Sequence, residues 1–175
     1  RLPYRLAHMM VGLTGFGLSL AMLLRSGLGS APWDVLHAAL ADRLGVSVGL
    51  MSISVSFVVL AAFLPLRQQV GIGTLANAIW VGVSLDLGMA ILPEPSGLLP
   101  AAAMMVAAVA VNGVSAAIYI GAQLGPGARD GLMTGLSRRL SRPVGPIRIG
   151  LEVAVMGTGW LLGGPIGAGT LLYAL

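Results

Sequence analysis

The sequence predicts an all-α, polytopic membrane helix bundle of two homologous repeats in inverted orientation, each with three spans plus one short interfacial or re-entrant helix. Three observations carry this expectation. Of the 175 residues, 57% are apolar and 9% charged, with a mean hydropathy of +0.93, whereas a soluble domain carries roughly 25% charged residues to face water. The apolar residues fall in blocks close to the roughly 20 helical residues that cross a hydrocarbon core of about 30 Å. Sliding the chain on itself by 96 positions brings Leu28, Gly29 and Asp34 onto Leu124, Gly125 and Asp130.

The register holds without a gap. Leu36, Leu40, Arg43 and Leu44 fall on Leu132, Leu136, Arg139 and Leu140, and Gly71, Gly73, Thr74 and Leu75 fall on Gly167, Gly169, Thr170 and Leu171. Matching Asp, Arg, Thr and Gly is informative where matching Leu and Val in so apolar a chain is not. The expected organisation is one membrane domain over 1–175, with repeat one at 6–92 and repeat two at 99–175. The second repeat stops within its last segment, and the chain lacks an initiating Met, so trimming at both ends is expected.

Each repeat opens with an apolar helix, 6–24 and 99–120. The first exceeds the roughly 7–15 apolar residues of a signal sequence and reads as a retained helix. A glycine-rich break follows, Gly27-Leu28-Gly29-Ser30-Ala31-Pro32-Trp33-Asp34 in one copy and Gln123-Leu124-Gly125-Pro126-Gly127-Ala128-Arg129-Asp130 in the other. Next come a short helix, 32–44 and 128–140, and a long one, 48–66 and 144–162. The fourth segment opens on Gly-x-Gly-Thr and runs over 71–92 in the first copy.

At 1.5 Å per residue the short helices reach only about 20 Å. They carry Asp34, His37, Asp42 and Arg43, or Arg129, Asp130, Arg138 and Arg139, all costly against lipid. They are therefore expected at the interface or as re-entrant elements, which leaves three crossings per repeat and turns the two copies over. With the N-terminus inside, Arg1, Arg5, Arg67, Arg129, Arg138, Arg139, Arg142 and Arg148 fall inside and only Arg25 and Arg43 outside, as arginine placement in bacterial membranes favours. Spanning short helices would instead make the repeats parallel, with Arg25, Arg67 and Arg129 outside. The two counts differ by a single Arg.

Ten basic against six acidic residues, and a pI near 10.7, would suit nucleic acid. The arginines, however, stand at the edges of apolar blocks, so the lipid bilayer is the expected partner and nucleic acid is not. There is no Cys, which excludes thiol catalysis, thiolate metal sites and disulfides. His8 and His37 have no partner at metal-ligand spacing, and no His-Glu-x-x-His or Gly-x-Ser-x-Gly occurs. No enzyme, cofactor or metal is expected.

The stretches Gly-Leu-Gly-Ser-Ala-Pro-Trp-Asp-Val-Leu (27–36), Gly-Ala-Arg-Asp-Gly-Leu-Met-Thr-Gly-Leu-Ser (127–137) and Gly-Ala-Gly-Thr (167–170) resemble the YitT/YczE family of bacterial multispanning inner-membrane proteins. The resemblance implies a multi-pass protein of the bacterial cytoplasmic membrane. It brings no substrate and no catalytic residues.

Two readings stand for Asp34 and Asp130: caps accepting hydrogen bonds from the first turn of the short helices, or substrate contacts of paired half-helices in an inverted-repeat transporter. In the second, Gly29 and Gly125 let the backbone approach a ligand. Thr74 and Thr170 read as helix-start residues or further contacts, and Asn112 as interhelical glue or a cavity contact. Glu152 is a proton- or cation-coupling group, or the partner of Arg148 one turn earlier. Ser52 and Ser56 read as packing residues, and Trp33, Trp160 and Tyr4 as interfacial anchors. The expected function is a small-molecule transporter working by alternating access, with an unknown small molecule as partner and a homodimer as an option. The alternatives are a substrate-binding membrane subunit of a multi-component uptake system and a non-transporting scaffold or regulator.

Overall fold

The computed structural model describes residues 2–174. They form the helices α1 (Leu2–Arg25), α2 (Pro32–Leu44), α3 (Val48–Ala61), α4 (Phe63–Leu66), α5 (Ile72–Ile91), α6 (Leu98–Gly121), α7 (Ala128–Leu140), α8 (Val144–Leu161) and α9 (Ala168–Ala174), with no strand among the described residues. The short helices keep the bounds expected of them. The long helix 48–66 is interrupted at Ala62, so that α4 is its last turn. Four helices are long and apolar enough to cross a membrane: Leu2–Arg25, Val48–Leu66, Ile72–Ile91 and Leu98–Gly121. The sixfold crossing expected from sequence is thus met by four such helices. Helix α8, which carries Arg148 and Glu152, is not among them, and the described part of α9 has only 7 residues.

The core is built around α1, which packs on both α5 and α6 and buries Met9, Leu13, Leu20 and Leu23 against Val81, Leu85, Ala108 and Tyr119. Small residues allow the close approach. A methyl on Gly12 would lie 2.6 Å from the backbone nitrogen of Tyr119, and one on Gly17 2.6 Å from the carbonyl oxygen of Val81. Helices α1 and α6 run antiparallel: Arg5 donates from Nε to the carbonyl of Ala122 at 2.8 Å, while further along Asn112 Nδ2 donates to Ser19 Oγ at 2.8 Å. At the opposite end Arg25 pairs with Glu94 and donates to the Met89 carbonyl. Without a hydrophobic force between helices in lipid, such fitted contacts and interhelical hydrogen bonds hold the bundle.

Helix α2 lies against α8 and α3, and α7 against α8, α3 and α4. Gly159 and Gly164 sit where a methyl would meet the backbone of Val35 or Leu36. The turn before α3 is closed from α5: Asp86 accepts from Ser47 Oγ at 2.6 Å and from the Gly49 amide at 2.8 Å, so a carboxylate faces the positive end of that helix. The left-handed backbone positions recur in register. Gly27 and Gln123, Gly29 and Gly125, Gly45 and Ser141, and Arg67 and Gly163 are each 96 residues apart and each have positive φ.

Two substitutions separate a required glycine from a tolerated one. Gly12→Ala is expected to cost about 1–3 kcal/mol by forcing α1 and α6 apart. Gly113→Ala on the open face of α6, where a methyl meets nothing within 4 Å, is expected to be neutral or slightly stabilising. Thermal unfolding in detergent reads both, and equal melting temperatures would contradict the packing described.

Candidate functional site

The two glycine-rich breaks are held by the two Gly-x-Gly-Thr elements in a crossed pattern. The Gly73 amide donates to the Leu124 carbonyl at 2.8 Å, and the Gly169 amide donates to the Leu28 carbonyl at 2.8 Å. Gly29 (φ +126°) and Gly125 (φ +127°) stand beside these bonds, in a conformation that side chains resist. A methyl on either would lie 2.8 Å from the hydroxyl of Thr170 or Thr74. Each Thr hydroxyl also accepts from the amide three residues earlier, Gly71 at 3.2 Å and Gly167 at 3.3 Å, as one half of a capping box does. Thr170 Oγ1 accepts additionally from the Ser30 amide at 3.1 Å. The corresponding position in the other break is Pro126, which has no amide to offer.

Because the breaks are pinned, α2 and α7 start at fixed places and enclose a cavity of about 230 Å³ with α1, α3, α5, α6, α8 and α9. Phe16, Val81, Ala116 and Met133 supply its apolar wall; Ser52, Ser56, Asn77, Asn112, Tyr119 and Tyr173 its neutral polar groups; Arg129, Asp130, Arg148 and Glu152 its charges. An apolar concavity with a few convergent polar groups is the usual form of a small-molecule site.

The charges are not equally engaged. Arg148 Nε donates to Glu152 Oε1 at 2.9 Å. Arg129 lies over the Trp33 ring, 5.2 Å from its centroid, and 3.7 Å from Asp34 Oδ1. Asp34 is 1% exposed and also bonds His37 Nδ1 at 2.9 Å. Asp130 accepts from the Tyr119 hydroxyl at 2.8 Å, and among the described residues no cationic nitrogen lies within 4.0 Å of it.

The sequence-derived site residues therefore divide. Asp130, Asn112 and Glu152 line the cavity together. Asp34 lies one layer behind, reaching the cavity through Arg129. Gly29, Gly125, Thr74 and Thr170 form the crossed hydrogen bonds outside the lining. Neither Asp caps its helix with its side chain: the N-cap positions are Ala31 and Gly127, and both carboxylates turn to side chains instead. Asn112 is both interhelical bond and cavity contact, since Tyr173 Oη donates to its Oδ1 at 3.0 Å. Glu152 is found with Arg148, inside the cavity. Ser52 and Ser56 were expected only to pack, yet they line it.

Trp33 was expected as an interfacial anchor and is 6% exposed in the interior, packed with Val59, Phe63 and Ala128 and with Arg129 from the other half of the chain over its ring. Trp160 and Tyr4 are at the surface, 62% and 69% exposed. Tyr119 and Tyr173 gave no signal in the sequence. Each stands near the end of an apolar run, where a tyrosine reads as an interfacial residue.

An all-helical chain with four apolar, membrane-length helices is a membrane protein in contact with the lipid bilayer. A family model described as a family of unknown function (DUF6198) matches residues 3–175, and the chain belongs to that family. It is similar to an uncharacterized protein of Haemophilus influenzae, 34% identical over 166 residues covering 95% of this chain and 76% of the relative. It is also similar to the uncharacterized membrane protein YczE of Bacillus subtilis, 34% identical over 161 residues covering 91% and 74%. A third relative, the uncharacterized protein YyaS of Bacillus subtilis, is 25% identical over 167 residues covering 93% and 83%. The resemblance to YczE drawn from the glycine-rich breaks thus extends over most of the chain. No solved structure matches.

The crossed bonds give an unequal pair of expected losses. Thr170→Val removes the acceptor of two amides, Ser30 and Gly167, and is expected to cost about 1–3 kcal/mol, since buried unpaired donors keep their full desolvation penalty. Thr74→Val removes the acceptor of Gly71 alone and should cost less, while Thr→Ser at either place should be mild. Melting temperatures of the four variants check the order.

Proposed function

We propose that this protein is a small-molecule transporter of the bacterial cytoplasmic membrane, working by alternating access of two pseudo-symmetric halves turned over relative to each other. The observation that carries the reading is the crossed pair of backbone hydrogen bonds, in which the Gly-x-Gly-Thr element of each half grips the break of the other at the same distance. The shared register of left-handed residues supports it, as does a second crossed pair: Arg43 donates to the Leu162 carbonyl at 3.2 Å and Arg139 to the Pro65 carbonyl at 2.8 Å.

The inverted sense is supported by α1 and α6, the opening helices of the two halves, which run antiparallel. It is supported also by the short helices. The start of α2 meets Pro165 and Gly169, through Ser30 and Leu28, and its end meets Leu162. The residues just before α2 and Arg43 near its end thus both contact the 162–169 stretch of the other half. The start and end of α7 meet Gly73 and Pro65 in the same way. In transporters of this design the substrate lies where interrupted helices of the two halves meet, and the cavity is so placed here. Asp130, Asn112 and Glu152 would contact substrate, with Asp34 holding Arg129 in position. The clustered polar groups serve recognition rather than bond chemistry, so the reading is of a non-enzymatic protein that uses no cofactor.

Proteoliposomes containing only this protein, incubated with an isotope-labelled extract of bacterial small metabolites, are expected to accumulate at least one species that protein-free vesicles do not. Asp130→Asn, with unchanged melting temperature, is expected to reduce that uptake at least tenfold. Ligand-induced stabilisation with no uptake of any species would instead favour a binding subunit that needs an energising partner, and neither effect would favour a scaffold.

A further inference from the structure

The cavity has one corner whose chemistry is specific. A methyl placed on Gly127 would lie 3.1 Å from Asp130 Oδ2, 3.1 Å from the Tyr119 hydroxyl oxygen and 3.2 Å from Asn77 Oδ1. That point is bonded to Gly127 and is not itself open to a ligand, but it locates three oxygens, from α7, α6 and α5, clustered beside the Gly127 backbone where all three residues line the cavity. The Tyr119 hydroxyl spends its proton on Asp130, which leaves its oxygen to accept. The Asn77 amide makes no hydrogen bond to protein among the described residues, although it lines the cavity.

The charge balance points the same way. Each cavity arginine already has a carboxylate, Glu152 for Arg148 and Asp34 for Arg129, whereas Asp130 has only a neutral donor. Of the three carboxylates in and behind the cavity, Asp130 is the one with no cationic nitrogen within 4.0 Å among the described residues. Its charge is offset only by the start of α7, whereas Asp34 has both Arg129 and His37. A neutral corner would suit a hydroxyl, and a corner with a spare arginine would suit a carboxylate; this one suits a cation.

We propose that the cavity binds a small molecule through a protonated primary amine, its three N–H groups directed at Asp130, Asn77 and Tyr119. An –NH3+ group has three donors and no acceptor, which matches three acceptors of which one is charged. A bare metal ion is matched less well, since Mg²⁺ and Ca²⁺ seek about six or more oxygens, and no cluster of three or more His, Cys, Asp or Glu suited to a metal occurs among the described residues. The rest of the ligand lies along Phe16, Val81 and Met133, so a short apolar body is accommodated. This assignment rests on the reading of the cavity as a substrate site and names the substrate's chemical class.

The test is binding, measured apart from transport. The protein in nanodiscs is titrated with n-butylammonium chloride, and at matched ionic strength with sodium butyrate, sodium chloride and tetramethylammonium chloride. A saturable rise in melting temperature is expected with n-butylammonium alone. Asp130→Asn and Gly127→Ala, the first removing the charge and the second filling the corner, are each expected to weaken that binding at least tenfold, and Asn77→Ala to weaken it severalfold. Equal stabilisation by butyrate, sodium or tetramethylammonium would overturn the assignment, as would unchanged n-butylammonium binding in either of the first two variants. Should one of those two fail to fold, the other decides. Amine binding without uptake of any species by proteoliposomes would leave the assignment standing and remove the transport reading. Uptake solely of species lacking an amine would do the reverse.

Discussion

In a bilayer a backbone amide that leaves a helix has no water to turn to, and each one left unpaired costs several kcal/mol. Two breaks in this chain, at Leu28–Gly29 and Leu124–Gly125, create that problem inside an apolar bundle. They are closed by amides from Gly169 and Gly73, which lie at the starts of other helices and have no intrahelical acceptor of their own. Each element thus satisfies the other's deficit. Neither break is supportable without a segment far away in the chain, so the two halves have to fold as one body.

The cavity follows from this constraint. Pinning the breaks sets the start of α2 and α7, and the first turn of each carries its charged residues, Asp34 on one and Arg129 with Asp130 on the other. Arg129 then bridges the halves, with its guanidinium over Trp33 and near Asp34. Charged groups at such depth persist only when paired or facing a polar cavity. Both arginines have a carboxylate within 4.0 Å, Glu152 for Arg148 and Asp34 for Arg129, whereas among the described residues Asp130 has no cationic nitrogen so near, which is why the proposed ligand contact is placed there. The Gly–Thr contacts that set this geometry lie outside the cavity lining, so the residues that hold the breaks are distinct from those proposed to meet a ligand.

Much of the fold was legible because it is local. Pro at the start and Gly after the end delimit α2, and apolar length marks the four membrane-length helices. The importance of the breaks was legible because they recur. What each residue touches was not. Trp33 and Tyr119 look like interfacial aromatics until Arg129 and Asp130 are brought to them. The Thr of Gly-x-Gly-Thr looks like a simple helix start until its hydroxyl is seen against the opposite break. These contacts join residues up to 140 positions apart, and no local pattern encodes such a pairing. Helix α8 shows the converse: its length suits a span, but Arg148 and Glu152 lower its hydropathy because they face the cavity and each other.

In the proposed arrangement the halves are turned over, and the ends of the two short helices then lie on opposite membrane surfaces. The chain has no cysteine, so a single thiol introduced at the exposed Asp42 or Arg138 reports without background. A membrane-impermeant maleimide applied to intact spheroplasts is expected to label Arg138→Cys only after lysis and Asp42→Cys without it. Labelling of both from the same side would contradict the inverted arrangement and the alternating mechanism built on it.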